Sequence, residues 1–207
     1  MTEDDAGYGA ERDRARVREF FTERAAGWDA RFPGDGPAFD SAVAELGLRP
    51  GDAVLDAGCG TGRALPALRA AVAREGTVLG IDLTPAMLEA AVLAGRHRSA
   101  LLAVADAVRL PLRDGVLDGV FAAGLVTHLS DPVTGLREFA RVVRPRGRLV
   151  LFHPVGRAAL AARRGRPLTP DDPRAEPNLR PLLLTAGWHL TSYTDEDERF
   201  LALSVRA

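Results

Sequence analysis

Three aspartates and a run of alternate glycines are the residues here whose types and spacing could do chemistry. The segment VLDAGCGTGRAL, residues 54–65, sets Gly58, Gly60 and Gly62 directly after Asp56 and an apolar run. Alternate glycines let a backbone turn sharply and let a ligand approach it without meeting a Cβ. A phosphate-cradling loop of the GxxxxGKS/T kind needs a lysine after its glycines, and the chain has no lysine. A dinucleotide loop needs GxGxxG, whereas the spacing here is DxGxGxG. A carboxylate at Asp56 repels a phosphate and suits a ligand carrying positive charge, an ammonium or a sulfonium. Asp82 ends the next apolar run about twenty residues past Gly62, where α/β nucleotide folds place an acid for the ribose hydroxyls. Asp106, in VADAVRLP, is placed to accept from the exocyclic amine of an adenine, while Ala107 offers its backbone N–H to a ring nitrogen. A sulfonium amino acid joined to adenosine meets all three demands. Capping of the following helix is the competing role for Asp56, and a plain loop acid the competing role for Asp82 and Asp106.

The elements that must position these residues alternate along the chain. Residues 10–26 read as an amphipathic helix with Val17, Phe20 and Phe21 on one face, and residues 38–46 as a short second helix. A turn at Arg49–Asp52 closes this leader. Five strand-then-helix units are expected next, with strands at 53–57, 77–82, 100–104, 119–123 and 148–152. These runs are nearly all apolar, as strands buried on both faces of a parallel sheet should be. Thr84 with Pro85 and Asp131 with Pro132 read as helix starts. Leu136, Phe139, Ala140 and Val143 mark the buried stripe of the helix after Asp131. Pro177 and Pro181 confine a late helix to about 178–186. The segments 188–194 and 199–207, split by Asp195–Glu198, read as a closing antiparallel hairpin. The expected fold is α/β: a doubly wound, three-layer, Rossmann-like sheet. Residues 1–48 form a helical N-terminal leader or lid, and residues 49–207 the catalytic domain it belongs to.

Composition narrows the partners. With 207 residues the chain fits one domain, and its net charge of −1 provides no field toward nucleic acid or membrane. All 27 basic residues are arginine, Gln is absent, and Ile81 and Asn178 are the only residues of their types. That skew looks like codon bias more than anion binding. The lone Cys59 excludes an internal disulfide and suits a reducing compartment. The acidic start MTEDDAGYGAERD has no apolar core, and no stretch approaches the length of a membrane span. A cytoplasmic protein without nucleic-acid, membrane or metal partners is expected, with its oligomeric state unspecified.

Five blocks in order carry a resemblance across roughly residues 15–155: VLDAGCGTG, GIDLTPAML, ADAVRLPL, GLVTHLSDP and LREFARVVRPRGRLVLF. The sequence resembles the class I S-adenosylmethionine-dependent methyltransferases, in particular the small-molecule group related to the ubiquinone and menaquinone methyltransferases. That resemblance implies S-adenosylmethionine as cofactor and a seven-stranded sheet whose last strand is antiparallel. It puts Asp56, Gly58 and Gly60 at the methionine end, Asp82 on the ribose, Leu83 on the adenine face and Asp106 on its amine. Cys59, a small filler of the loop, and Ala123 are counted with the cofactor-lining positions. One departure is the turn Pro145-Arg146-Gly147, where the family usually has Pro-Gly-Gly. The implied activity is methyl transfer to a small-molecule acceptor. A nicotinamide-dependent oxidoreductase and a cofactor-binding protein without methyl-transfer chemistry are the alternatives.

For the acceptor, the candidates are His128 and His153, which follow the fourth and fifth strands where cleft residues of such sheets sit. Either is a candidate catalytic base, and cleft lining is the competing role. His97 reads as surface and His189 as structural. The leader supplies Phe20, Phe21, Trp28, Phe32 and Phe39, either as a staple on the sheet or as an apolar cover over the acceptor. Few polar groups are expected around that cleft. Arg157, Arg163, Arg164 and Arg166 are weighed as a recognition site for an acidic acceptor, against codon bias.

Overall fold

Nearly unbroken apolar runs become the strands of one sheet, because a parallel strand covered on both faces has no side to show to water. The computed structural model describes residues 3–207, with side chains from Glu11 onward. Met1 and Thr2, where the leader and its acidic start begin, lie outside the described residues. Strands β1 (Ala53–Ala57), β2 (Thr77–Asp82), β3 (Leu101–Val104), β4 (Leu117–Ala123) and β5 (Val143–His153) run parallel. Strand β7 (Arg199–Arg206) lies antiparallel between β5 and β6 (Trp188–Glu196), giving the order β3-β2-β1-β4-β5-β7-β6. The seven-stranded sheet with an antiparallel last strand is as expected.

Side chains alternate across the sheet and make two cores. Leu55, Val120, Leu149 and Leu151 pack beneath α5 (Pro132–Val142) and α7 (Glu176–Thr185). Val54, Val78, Phe121 and Val150 pack beneath α2 (Gly36–Leu46) and α3 (Leu65–Val72). Helix α4 (Pro85–Leu93) follows β2, and α6 (Arg157–Arg163) follows β5. Trp188 is fully buried and its Nε1 donates to the Leu136 carbonyl at 2.9 Å, which ties β6 to α5.

Several expectations need correction. Helix α1 spans Glu3–Thr22 instead of 10–26 and gives way to single 3-10 turns at Ala25–Gly27 and Asp29–Arg31. β3 is an edge strand, so its apolar Leu101 and Val104 face solvent. No helix joins β3 to β4. The stretch 105–116 is instead held by α5, where Glu138 accepts from the Leu110 amide at 2.6 Å and Arg141 donates to the Leu112 carbonyl at 2.8 Å. β5 begins at Val143, and its register jumps past the Pro145-Arg146-Gly147 turn. Arg146 adopts φ +66 there, a conformation glycine enters freely and a side chain does not. Pro181 lies inside α7, where it forfeits one bond, toward Pro177. Thr84 begins α4 without a side-chain cap, while Asp131 caps α5 through the amides of Val133 and Thr134.

The leader divides in two by packing. Phe39 on α2 is buried against Phe152 and Phe121, with ring centroids 5.2 and 6.4 Å away. Phe20 on α1 is 45% exposed, with the Arg24 guanidinium over its ring. Phe39→Ala is therefore expected to lower unfolding free energy by about 3–5 kcal/mol, and Phe20→Ala by less than about 0.5 kcal/mol. Urea denaturation of both variants checks this, and equal losses would show that Phe39 is no staple.

Candidate active site

In an open parallel sheet the crevice forms where strand order reverses, here between β1 and β4, at the carboxyl ends of the strands. Asp56, next to last on β1, stands at that point between Gly80 of β2 and Phe121 of β4. It is only 2% exposed, and its Oδ2 has no hydrogen-bond partner among the described residues. Burial, then the neighbouring Asp82, pushes its pKa up to about 8. An ionised carboxylate so placed needs a cation, and without one it keeps a proton.

The glycine loop wraps this position. Gly58 and Gly60 have φ of +67 and +54, so both need the left-handed region. A Cβ on Gly60 would meet nothing within 4 Å, so the loop backbone is open to an approaching ligand there. The Cys59 amide donates to the Ile81 carbonyl at 2.8 Å, which ties the loop to β2. The Cys59 side chain packs in the core, and burial, then Asp56 and Asp82, holds its thiol well above the ordinary range. It is an inert filler with no nucleophilic character.

Asp82 ends β2 and accepts from the Gly60 amide at 2.9 Å through Oδ2 and from the Thr84 amide at 2.8 Å through Oδ1. Burial raises its pKa, and those two amides oppose the rise. Each oxygen keeps a further lone pair for a ligand hydroxyl. Asp106 follows β3 and accepts from the Val108 amide at 3.1 Å. Its other oxygen lies 3.1 Å from Nε of Arg14 on α1, a pairing that sequence spacing had no means to show.

One cavity of about 660 Å³ collects the expected cofactor-lining residues and both candidate bases: Asp56, Gly58, Cys59, Gly60, Asp82, Leu83, Asp106, Ala107, Ala123, His128 and His153. The leader covers it. Phe21 meets His128 edge to face at 5.2 Å and Trp28 at 5.4 Å, and Trp28 meets Phe32 at 5.3 Å. Phe39 reaches the cavity from its place in the core, and Phe20 does not line it. Asp29 locks the leader to the glycine loop, accepting from Thr61 Oγ1 at 2.7 Å and pairing with Arg96 at 2.6 Å. Arg63 adds bonds to the Phe32 carbonyl and, at 3.3 Å, to Asp35.

The histidines occupy the other half of the cavity, beyond β4 and β5. Burial is the main force holding His153 down to a pKa of about 4, and Arg174 and Arg164 add to it. Its Nδ1 sits 2.7 Å from the Val155 carbonyl. Donation there leaves Nε2 of the neutral ring as an acceptor. So low a pKa makes it a weak general base near neutral pH, weaker than the catalytic role expected of it. His128 lies exposed on the cleft wall. Dehydration by the surrounding walls, then Arg164 and Arg174, lowers its pKa. The expectation of few polar groups is corrected, because Arg163, Arg164 and Arg174 line this half. His97 and His189 are both exposed, and neither lines the cavity.

The sign of the Asp56 effect on stability follows from its raised pKa. Below about pH 4 folded and unfolded chains both hold the proton; between about 4 and 8 only the unfolded chain releases it, so stability falls as pH rises. Ligand-free Asp56→Asn protein is expected to melt above the wild type at about pH 7.5, with the gap closing toward about pH 4.5. Thermal scans across that range check it, and a pH-independent difference would contradict the buried proton.

Comparison with known proteins agrees with this geometry. Residues 55–151 match the family described as a methyltransferase domain. Demethylmenaquinone methyltransferase of Symbiobacterium thermophilum is 35% identical over 116 residues, covering 52% of this chain and 45% of that protein. The 27-O-demethylrifamycin SV methyltransferase of Amycolatopsis mediterranei is 38% identical over 116 residues, covering 54% and 42%. The chain thus spans less than half the length of these curated relatives. A solved SAM-dependent methyltransferase from Aquifex aeolicus superposes with a TM-score of 0.67 at 25% identity, covering 82% of this chain and 89% of that one. In its matched domain and its strand order the chain is similar to the class I S-adenosylmethionine-dependent methyltransferases.

Proposed function

We propose that this chain transfers a methyl group from S-adenosylmethionine to a small-molecule acceptor. The observation that carries the reading is the buried, unpartnered Oδ2 of Asp56 beside the open face of Gly60. That arrangement fits the ammonium of an amino acid at the methionine end. Asp82 has free lone pairs for two ribose hydroxyls, Leu83 packs on the adenine face, and Asp106 with Ala107 receives its edge. Asp106 then exchanges or shares its contact with Arg14. When bound, the cofactor supplies a methyl group made electrophilic by its sulfonium.

The chain's own work is to align the acceptor with that methyl in a dry site. Residues 1–48 act as a lid on the catalytic unit of residues 49–207, with Phe21, Trp28 and Phe32 excluding water from above. His153 accepts a hydrogen bond from the acceptor through Nε2 and orients it, taking a proton only from an acidic group. His128 lines the same wall. Relatives named for methylating a menaquinone precursor and a rifamycin precursor support a small-molecule acceptor. No described helix is long and apolar enough to cross a membrane. A reducing, cytoplasmic setting goes with this reading.

S-adenosylhomocysteine at a hundredfold excess over its dissociation constant should stabilise the protein by about 2.7 kcal/mol, and NAD should not. Asp82→Ala should weaken S-adenosylhomocysteine binding at least about tenfold, since charge-assisted bonds are worth about 1.5–3 kcal/mol each. Thermal shift and titration calorimetry read both. Stabilisation by NAD alone, or unchanged affinity in the variant, would sink the assignment.

A further inference from the structure

The cavity is divided by charge along the sheet. Asp56, Asp82 and Asp106 stand after β1, β2 and β3, while Arg163, Arg164 and Arg174 stand after β5 on the opposite side of the switch point. The acids are accounted for by the cofactor reading above; the arginines are not.

Local pairing separates these arginines into two kinds. Arg157, at the start of α6, is fixed to Asp195 through Nε at 2.9 Å and through its amide at 2.8 Å. Arg174 grips the buried Asp172 with two bonds, Nε at 3.1 Å and Nη2 at 2.9 Å. Each has its counter-charge. Arg163 and Arg164, at the other end of α6, line the cavity and have no ion-pair or hydrogen-bond partner for their guanidiniums among the described residues. Arg157, Arg163, Arg164 and Arg174 bring four positive charges to this end and Asp172 and Asp195 two negative ones, while Asp35, which also acts on His153, is paired with Arg63, so among the described residues two positive charges are in excess. Arg166, weighed with them from the sequence, does not line the cavity. Codon bias explains why these residues are arginine and not lysine, but not why two cations without a partner among the described residues face the cleft.

The histidines fit the same picture. Burial, with a smaller push from Arg164 and Arg174, lowers the pKa of both His128 and His153, so the neutral rings add no positive charge and offer acceptors or donors to a ligand. Leu160 and the contacting rings of Phe21, Trp28 and Phe32 line the same cavity. The cavity thus combines apolar and aromatic walls with two guanidiniums that have no counter-charge among the described residues.

We propose that the methyl acceptor is an anion, a flat apolar body bearing an oxyanion group that Arg163 and Arg164 bind beyond β5. This rests on the methyltransferase reading and names its substrate class. Guanidiniums suit a planar carboxylate, which they meet with two parallel hydrogen bonds. The body then lies under the leader, with its nucleophilic atom turned toward the cofactor half.

Titration calorimetry with 2-naphthoate and its neutral partner 2-naphthamide tests the charge requirement on the full chain loaded with S-adenosylhomocysteine. The naphthoate should bind at least about tenfold more tightly than the naphthamide. The double variant Arg163→Gln, Arg164→Gln should erase that preference, while the double lysine variant should keep most of it. S-adenosylhomocysteine affinity should be the same in all three proteins, which are changed only at exposed positions. Equal binding of the two probes, no binding of either, or a preference that survives the glutamine variant overturns the proposal. Loss of S-adenosylhomocysteine binding in that variant also overturns it, by assigning the arginines to the cofactor carboxylate. Failure of the wild type to bind S-adenosylhomocysteine at all would count against the methyltransferase reading instead.

Discussion

A carboxylate with a free oxygen, enclosed at the tip of the central strand, is the constraint on which the rest of the site depends. Asp56 sits where β1 is flanked on both sides, so water cannot reach it, and Asp82 nearby makes ionisation harder still. A hydrophobic residue there would be more stable. Its burial is coherent only if a cation arrives. The glycine loop then has a purpose beyond turning the chain, because it lets that cation approach without displacing a side chain. Asp82 holds the loop in place through the Gly60 amide, so the two acids and the loop form one unit.

From that unit the cleft extends across the switch point, and its polarity changes sign on the way. Acids follow the three strands on one side, and arginines follow β5 on the other. Between them the leader presents aromatic rings, anchored to the loop by Asp29 and Arg63. Removing water strengthens every charge interaction inside such a space. In the proposed reading the acidic half takes the cofactor and the basic half the acceptor. His153, with its lowered pKa, lines this second half and is ill suited to act as a base near neutral pH.

The strands and the acid-lined wall of the cavity were legible because they rest on local signals. Apolar runs, a tight glycine spacing and acids at strand ends each leave a mark within about ten residues. What escaped the sequence was tertiary. Arg14 reaches Asp106 from a helix nearly a hundred residues away, and Arg174 enters the cavity from the segment before α7. Glu138 and Arg141 hold the β3–β4 connection from α5 in place of the helix expected there. Phe20 and Phe39 look alike as leader aromatics, yet one is exposed and the other is core, because α2 packs Phe39 against Phe121 and Phe152 of the sheet while Phe20 meets only its neighbours on the leader. Pro181 reads as a helix limit, but within the first turns of α7 it removes only one bond.

The central claim is that Asp56 gives up a proton to receive a cationic ligand. Titrating S-adenosylhomocysteine at about pH 7 in phosphate and in Tris, whose ionisation enthalpies differ, counts that proton directly. The account predicts release of about one proton per site in the wild type and none in Asp56→Asn. An apparent enthalpy independent of buffer in the wild type, or equal proton release in both proteins, would contradict it.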